Sequence, residues 1–595
     1  MRKKWILPEH DPEIVDSLFR TLRISPVTAR MLANRGLQDA QSARRFLEPS
    51  LHQLIDPANL ELISSAAAFL LEAADSNRHI TVYGDYDADG ICAAALMTRA
   101  LRALGGEVDY YVPRRFDEGY GLSKDAVKEL DQRGTDVIVT VDCGISASGA
   151  VKLARRRGME VILTDHHEPG SELPETRYIL NPHLPDCQFG YERLAGVGVA
   201  FKLAWAAGQQ RNGGRKVDES FKELMVDLLP LVAIGTIADM VELNDENRVM
   251  TQFGLRVMPS TTIPGLKALL KVAGAENKSN LRSYHVGFQL APRLNAAGRM
   301  ADASAAIELF TTDDPDRARE LVDGLEKENR RRQNIQRATI DEAVEHVEQT
   351  LDLDSANSIV VYNPEWHPGV VGLVAARLAD DYWRPAFVFS GKNGLARGSA
   401  RGIPGLNLFE AISQCEELLE TFGGHEGAAG LSLSMDRFED FQRRIDRVVQ
   451  EELGEEPPGP RLKLEGEVEL EELSKPVVRE LRLLSPYGMA NPEPLFCTHG
   501  VRLAGNPQIV GSRQNHLSFM VRQGKRTLKV IAFGKSDWLP QLKSHADEPF
   551  SIAFQPQINT WRNRSKVELR AEDIQFQGEQ LIETGEGSLL TASSS

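Results

Sequence analysis

Cysteine is scarce in this chain, with five residues in 595, and no two of them form a CxxC pair. This scarcity argues against a zinc ribbon or a disulfide framework and fits a reducing cytoplasm. No stretch of eighteen uncharged apolar residues occurs, so no membrane span is predicted. The N-terminus also lacks the long apolar run of a secretory signal. We therefore expect a soluble protein of the cytoplasm.

An excess of positive charge is also missing, because 69 lysines and arginines face 85 acidic residues and the net charge is −16. Taken alone, this balance argues against nucleic-acid binding, which normally leaves a basic footprint. Whole-chain charge is a weak guide, however, since a local basic groove can lie on an acidic protein. The length exceeds what one hydrophobic core supports and predicts several domains.

The most informative stretch is HITVYGDYDADG, residues 79–90. Its β-forming residues predict a short buried strand, Ile80 to Gly84, and an apolar helix follows Gly90. Between them stand three carboxylates on alternate residues, Asp85, Asp87 and Asp89. Carboxylates this close stay ionised together only around a cation or in full contact with water. Oxygen ligands suit Mg²⁺ or Mn²⁺, whereas a solvated acidic loop is the alternative that the apolar flanks disfavour.

Strands and helices alternate from Ile80 to about Leu243, which predicts a parallel sheet with helices on both faces. The polar ends of successive strands then meet at one edge, as in α/β active sites. That edge receives Asp142 from VTVDCGI, and Asp165, His166 and His167 from TDHH, while a later apolar stretch adds Asp239. Singly, such an Asp could cap a helix and a His pair could be structural. Together they supply what a dinuclear metal site requires.

The segments GDYDADG, VTVDCGI, TDHH and IADMVEL resemble, in order and spacing, the four motifs of the DHH phosphoesterase superfamily. Residues 290–310, LAPRLNAAGRMADASAAIELF, resemble a motif of its RecJ family of bacterial single-strand-specific exonucleases. GGHEGAAG, residues 423–430, resembles the signature of the DHHA1 domain. The resemblance extends from about residue 20 to 575.

The resemblance implies an α/β fold in which a parallel-sheet DHH domain is joined by a long helix to a second α/β domain, DHHA1, and followed by a C-terminal OB-like β-barrel. Asp314-Pro315 is a typical start for that helix. Short strands with basic and aromatic residues predict the barrel, although a barrel that only packs domains is the alternative. We expect no further domain after it. The predicted limits are an N-terminal helical segment 1–75, the DHH domain 76–312, the long connecting helix 313–352, the DHHA1 domain 353–455, the OB-like domain 461–577 and a disordered tail 578–595.

The implied function is metal-dependent 5′→3′ hydrolysis of single-stranded DNA to 5′-mononucleotides in DNA repair and recombination. Two Mn²⁺ or Mg²⁺ ions are implied, with Asp142 as the bridging ligand and as a catalytic residue together with Asp165 and His167. The implied partners are single-stranded DNA, single-stranded DNA-binding protein and a helicase. The implied metal ligands are Asp85, Asp87, Asp89, Asp142, His166 and Asp239; the implied phosphate and substrate contacts are Arg115, Arg299, Ser399, Arg401 and His425; the expected nucleic-acid contacts of the barrel are Trp561, Arg562 and Arg564.

Two alternatives remain. One is another DHH phosphodiesterase that acts on short oligonucleotides or cyclic dinucleotides, which the chain length, the long helix and the barrel disfavour. The other is a non-catalytic replication or repair scaffold, which would have lost metal ligands, whereas every acidic and histidine position is present.

Overall fold

A computed structural model describes most of the chain. The predicted phosphate ligand Arg115 lies outside the described residues. Among them, no single helix has the length and apolar character to cross a membrane; one bent helix pair, Leu51–Asn59 with Ile63–Asp75, meets these criteria. The described residues are 2–114, 118–119, 121–185, 187–214, 216–278, 280–300, 302–353, 355–391, 394–454, 459–562, 564–576 and 582–585.

The N-terminal segment contains a strand before its helices, so the prediction of a purely helical segment is incomplete. Ser25 and Asp39 cap two of the helices, each accepting hydrogen bonds from backbone N–H groups of the first turn. Proline at the first helical position supports the start of the first two helices. The elements are β1 (Lys4–Pro8), α1 (Pro12–Leu22), α2 (Pro26–Asn34), α3 (Ala40–Leu47), two 3₁₀ turns (Leu51–Gln53 and Pro57–Asn59) and α4 (Ile63–Asp75).

The first α/β domain is built on a five-stranded, all-parallel sheet, as predicted. Its central strands are apolar on both faces because helices cover both sides. The elements are β2 (Ile80–Gly84), α5 (Ala88–Ala103), β3 (Val108–Tyr111), α6 (Lys124–Gln132), β4 (Val137–Val141), α7 (Ser148–Arg156), β5 (Glu160–Thr164) and β6 (Tyr178–Leu180), and the strand order is β3-β2-β4-β5-β6.

The strand order places a topological switch point between β2 and β4. The chain leaves β2 toward β3 on one side and returns to β4 on the other, which opens a crevice at the carboxyl ends of the two strands. Further helices follow the sheet: α8 (Gly196–Arg211), α9 (Glu219–Ala238), α10 (Asp245–Val257), α11 (Pro264–Val272), α12 (Ser283–His285), a π-helical turn (Val286–Leu290), α13 (Ala291–Met300) and α14 (Ser304–Thr311), with a 3₁₀ turn at Met258–Ser260.

A helix of 36 residues, α15 (Pro315–Thr350), lies where the sequence predicts the long connecting helix. The Asp314 side chain accepts the Asp316 N–H at 2.8 Å and so caps its start. The second α/β domain has a mixed sheet of order β10-β11-β9-β8-β7. Its elements are β7 (Ile359–Tyr362), α16 (Pro368–Tyr382), β8 (Ala386–Ser390), β9 (Leu395–Arg401), α17 (Leu408–Ser413), a 3₁₀ turn (Glu416–Leu418), β10 (Thr421–His425), β11 (Ala428–Ser434), a 3₁₀ turn (Met435–Arg437) and α18 (Phe438–Leu453).

The C-terminal region is the predicted β-barrel. Its strands follow the order β13-β14-β18-β19-β17-β16-β15, and pairing of β14 with β16 closes the sheet on itself. The elements are β12 (Arg461–Lys463), β13 (Gly466–Glu467), α19 (Lys475–Glu480), a 3₁₀ turn (Leu481–Leu484), β14 (Phe496–Leu503), β15 (Gln508–Val510), β16 (His516–Gln523), β17 (Arg526–Ala532), a 3₁₀ turn (Ser536–Trp538), α20 (Leu539–Ser544), β18 (Phe550–Trp561), β19 (Arg564–Phe576) and β20 (Ile582–Gly585).

The strand β20 pairs in parallel with β1, which also pairs with β12. The prediction of a disordered tail from residue 578 is therefore wrong for Ile582–Gly585. The sequence gives little indication of this strand, because the formation of a four-residue strand depends more on the sheet edge that it joins than on its own residue pattern.

Two buried arginines join the barrel region to the N-terminal segment and the first α/β domain. Arg248 on α10 donates hydrogen bonds to the carbonyls of Leu484 at 2.8 Å, Ser485 at 3.0 Å and Phe46 at 3.0 Å. Arg35 lies 2.7 Å from the Glu465 carboxylate, and both side chains are buried. A planar guanidinium suits such sites because its five donors satisfy several acceptors at once.

Candidate metal centre

The acidic turn after β2 is shaped by its own backbone. The Asp87 carboxylate caps α5, accepting the N–H groups of Asp89 at 2.9 Å and Gly90 at 3.1 Å. A Cβ at Gly90 would lie 2.6 Å from backbone atoms of Asp85, so the turn requires glycine there. Asp85 and Asp89 are both buried. The strand–turn–helix signature thus directs three carboxylates into one crevice.

The start of α8 holds Asp89. Its carboxylate accepts the N–H groups of Gly196 at 2.7 Å and Val197 at 3.1 Å, and the positive end of the helix dipole favours its negative charge. A Cβ at Gly196 would lie 2.4 Å from the Asp142 Oδ1 atom, and one at Gly235 would lie 2.3 Å from Asp89 Oδ1. Helices α8 and α9 therefore approach the carboxylates closely because they present glycine.

Asp142 follows β4 and brings the second strand end to the cluster. Its backbone is left-handed, with φ of 63°, a conformation that is uncommon for residues other than glycine and in which aspartate is several-fold enriched. His166 Nε2 lies 3.1 Å from Asp142 Oδ1 and 3.6 Å from Asp239 Oδ2. Asp239 is the C-cap residue that directly follows α9. Three separate segments of the chain therefore meet at one imidazole.

Asp165 acts on its neighbours through hydrogen bonds. It accepts the N–H groups of Ile145 at 2.9 Å and His166 at 2.8 Å, and its Oδ1 lies 2.7 Å from His167 Nδ1. Burial pushes the pKa of Asp165 up, but the hydrogen bond and charge of His167 and the backbone donors bring it below the usual value. An ionised Asp165 fixes the tautomer and the orientation of the His167 ring.

Three of the other carboxylates, Asp89, Asp142 and Asp239, resist ionisation. Burial, followed by the nearby negative charges, raises the pKa of Asp89 and Asp142 well above the usual value and that of Asp239 to about 7. Burial lowers the pKa of His166 to about 3, so its ring is neutral, as a metal ligand must be. Several mutually repelling carboxylates around a neutral imidazole are stabilised by a divalent cation.

The donor atoms form three overlapping groups in which all atoms lie within 4.8 Å of one another. Asp142 and His166 each belong to two of the groups, so adjacent ions would share ligands. A donor set made mainly of carboxylate oxygens suits Mg²⁺ and Mn²⁺. The groups are Asp85, Asp87 and Asp142; Asp89, His166 and Asp239; and Asp142, His166 and His167.

One contact of the centre has no counterpart in the sequence analysis. The Asn295 side chain on α13 accepts the Ala88 N–H at 2.7 Å, between Asp87 and Asp89. Helix α13 therefore fixes the acidic turn from a distant part of the chain. The only signal for this residue was its position within LAPRLNAAGRM, the segment that resembles an exonuclease motif.

The predicted phosphate contacts of the second α/β domain lie together at the start of α16. A Cβ at Gly372 would lie 3.3 Å from Ser399 Oγ and 3.5 Å from Arg401 Nη2. Arg299 Nη1 donates to the Gly369 carbonyl at 3.4 Å. A guanidinium beside a helix N-terminus is a favourable place for an anion.

His425 lies on the hairpin β10–β11 of the same sheet. It is exposed and pairs with Ala428, which in turn pairs with Arg401 on β9. His425 is therefore two strands away from Arg401. In the barrel, Trp561 and Arg564 end and begin the strands of the β18–β19 hairpin, and Trp561 is 71% exposed. The Arg562 guanidinium lies 6.0 Å from the centre of the Trp561 ring.

Comparison with known proteins gives three domain matches in order along the chain. Residues 79–236 match the DHH family N-terminal domain, 355–451 the DHHA1 domain and 464–573 the RecJ OB domain. The single-stranded-DNA-specific exonuclease RecJ of Bacillus subtilis (strain 168) is 38% identical over 98% of this chain and 72% of its own length. The chain belongs to the RecJ family.

Other RecJ proteins are also similar to this chain over most of their length. The single-stranded-DNA-specific exonuclease RecJ of Escherichia coli (strain K12) is 37% identical over 93% of this chain and 96% of its own. The crystal structure of Thermus thermophilus RecJ in complex with Mn²⁺ matches with a TM-score of 0.81 at 31% identity, covering 96% of this chain and 80% of that one. A Mg²⁺ complex from the same organism matches with a TM-score of 0.73 at 28% identity, covering 98% and 80%.

Proposed function

We propose that this RecJ-family chain is a single-stranded-DNA-specific exonuclease that releases 5′-mononucleotides from the 5′ end of the strand, in DNA repair and recombination. The cluster of buried carboxylates around His166 carries the proposal, because its donor set suits divalent ions that hydrolyse phosphodiesters. The exonuclease names of the RecJ relatives support the choice of substrate.

The proposed ligands of two Mn²⁺ or Mg²⁺ ions are the residues of this cluster. Such ions would neutralise the phosphate charge and make a water molecule a better nucleophile at neutral pH. Asp142 is the proposed shared ligand, since it belongs to two of the donor groups. His167, oriented by Asp165, is positioned to donate a hydrogen bond to a phosphate oxygen. The full proposed ligand set is Asp85, Asp87, Asp89, Asp142, His166 and Asp239.

A preference for the 5′ end is explained by recognition of a terminal phosphate, which we assign to Ser399 and Arg401 of the second α/β domain. Arg115 is a further proposed phosphate contact. Ser399 and Arg401 are close to the first turns of α16, where backbone N–H groups favour an anion. A terminal phosphomonoester carries more negative charge than an internal phosphodiester, so clustered cations select a strand end. Arg299 and His425 are proposed to contact the terminal nucleotide.

We propose that the β18–β19 hairpin of the barrel binds the single-stranded DNA. Exposed Trp561 offers a stacking face, and Arg562 and Arg564 offer charge to the sugar–phosphate backbone. Contacts with single-stranded DNA-binding protein and with a helicase belong to the same proposal. The five cysteines are free thiols, which suits the proposed cytoplasmic location.

The first experiment follows release of labelled mononucleotide from a 5′-phosphorylated single strand, with Mn²⁺ or Mg²⁺ and with chelator. We expect metal-dependent release from the labelled 5′ end. Asp142→Asn should lower the rate by more than about a hundredfold, beyond the loss typical of outer ligands. Asp125→Asn, at an exposed aspartate of α6, is the matched control and should keep the rate.

Other outcomes would replace the proposal. Release only from a 3′-labelled end would reverse the polarity. Cleavage of dinucleotides without release from longer strands would favour a short-oligonucleotide phosphodiesterase. Strand binding without any cleavage would favour the scaffold.

A further inference from the structure

Two aromatic side chains, one on α12 and one on the π-helical turn that follows it, face solvent. Tyr284 is 60% exposed and Phe288 is 71% exposed. Their ring centroids lie 5.0 Å apart with the planes 30° from parallel, so the two rings form one stacked surface. Most large aromatic residues of a folded protein bury more of their surface than this. An exposed aromatic pair is typical of a binding site.

The segment that carries this pair contacts two elements that hold proposed metal ligands, α9 and the start of α5. A Cβ at Gly287 would lie 3.8 Å from Ile237, two residues before the proposed ligand Asp239. Farther along, Asn295 holds the Ala88 amide of the acidic turn. Between these contacts the chain makes the π-helical turn Val286–Leu290, a rare geometry that occurs frequently at functional sites. The segment that carries the rings is therefore anchored to two elements that supply proposed metal ligands.

The charge of the segment is opposite to that of the whole protein. From Asn277 to Ala301 the sequence contains no aspartate or glutamate and four basic residues, in a chain of net charge −16. Arg282 is exposed two residues before Tyr284, and its backbone N–H is bonded to His285 Nδ1 at 3.0 Å. Apolar rings among cations complement a polyanion with flat apolar faces, which describes a single nucleic-acid strand.

We propose that Tyr284 and Phe288 form a stacking platform for a base of the single strand whose phosphodiester is hydrolysed at the metal centre. This inference rests on the proposed function and assigns a base contact to the first α/β domain itself. Every base has a π-face, so the platform holds a strand of any sequence. Duplex DNA keeps its bases stacked on one another and cannot use such a contact, so the platform favours single strands.

The test asks whether loss of the Phe288 ring and loss of a base weaken strand binding through the same contact. Binding of a short 5′-phosphorylated strand is measured by fluorescence anisotropy in chelator, first intact and then with a single abasic site at each successive position. In the unmodified protein, we expect one or two adjacent abasic sites to weaken binding about five- to hundredfold. Phe288→Ala should weaken binding of the intact strand by a similar factor, and the same abasic sites should then cost nothing further.

Two controls isolate the effect. Phe288→Trp keeps a ring and should keep both the affinity and the abasic sensitivity, which excludes a general folding defect. Phe19→Ala, at an exposed phenylalanine of α1, should behave as the unmodified protein. If Phe288→Ala binds as tightly as the unmodified protein, or stays sensitive to the same abasic sites, the platform does not stack a base. An exposed pair that serves a protein partner would give that result.

Mononucleotide release by the unmodified protein, measured on the intact strand with Mn²⁺, separates the two proposals. If mononucleotide is released but Phe288→Ala keeps the abasic sensitivity, only the stacking platform is overturned. If Phe288→Ala loses that sensitivity but the unmodified protein releases no mononucleotide, the exonuclease is overturned and a strand-binding protein remains.

Discussion

Gly235 on α9 decides how closely that helix approaches the Asp89 carboxylate. A Cβ at this position would lie 2.3 Å from Asp89 Oδ1 and 2.7 Å from a methyl carbon of Val197. Neither neighbour can yield easily, because Asp89 is buried and bonded to the first amides of α8. The position of Asp89 in the metal centre therefore depends on glycine, with no Cβ, at residue 235.

Gly235→Ala should displace Asp89 and lower metal-dependent hydrolysis by at least about tenfold, the range found when supporting groups of a metal site are disturbed. The rise in melting temperature on adding Mn²⁺ should shrink as well, because the displaced ligand binds metal less tightly. Calorimetric scans with and without Mn²⁺, beside strand-hydrolysis rates, check both results.

Gly324→Ala is the matched control for this change, since a Cβ there meets nothing within 4 Å. It should keep the hydrolysis rate and stabilise α15 by about 0.5–1 kcal/mol, the usual gain of alanine over glycine in a helix. Equal losses in both variants would mean that Gly235 has no special role.

At the level of single residues, the sequence predicts those candidate site residues whose side chains can bind metal and whose positions in the sequence are unusual for polar residues. Asp142 and His166 follow apolar strands, and a polar residue there is conspicuous. Gly235 and Asn295 were missed because their roles depend on the residues they approach in the folded chain. The sequence of an apolar helix does not show whether its glycine packs against a carboxylate or against a methyl group.

Between elements, a buried ion pair fixes α8 to α10. Lys202 and Glu246 are both buried, and the ammonium also donates to the Ile55 carbonyl at 2.6 Å. Burial lowers the pKa of Lys202, although the Glu246 carboxylate opposes the shift. This pair anchors the loop before α4 to the two helices.

Lys202→Met should destabilise the protein by about 3–5 kcal/mol, because Glu246 would remain buried without its partner. The double change Lys202→Met with Glu246→Leu should recover part of this loss, since two apolar side chains remove the uncompensated charge. Recovery stays incomplete because the Ile55 backbone groups lose their partners. Urea unfolding of the three proteins measures the changes, and additive losses would contradict the coupling.

The elements themselves were largely predictable, for identifiable reasons. Ser123 caps α6 by accepting the Ala126 N–H, as serine commonly does at that position, and the strands β2 and β4 are short buried runs rich in β-forming residues. The strands β1 and β20 were not predictable in the same way. Each of them depends on a partner far away in the sequence, and neither carries a strong pattern of its own.

Over the whole molecule, the chain folds as two compact units. One contains the described residues of 3–295, 303–322 and 461–595, and the other contains the described residues of 1–2, 296–302 and 323–460. The carboxylate cluster lies entirely within the first unit, whereas Ser399 and Arg401 lie in the second. A ligand stabilises the unit that binds it, so metal should act on the two units differently.

Mn²⁺ should therefore slow amide exchange in β2, β4 and the start of α8 while leaving β8 and β9 unchanged. At a metal concentration about a hundredfold above the dissociation constant, binding contributes about 2.7 kcal/mol, and exchange through unfolding of this unit should slow about a hundredfold. Hydrogen exchange read by mass spectrometry resolves these segments. Asp142→Asn should abolish the protection. Equal protection of β8 and β9 would mean that the two units unfold together, because a cooperative transition distributes the binding energy over every amide it exposes.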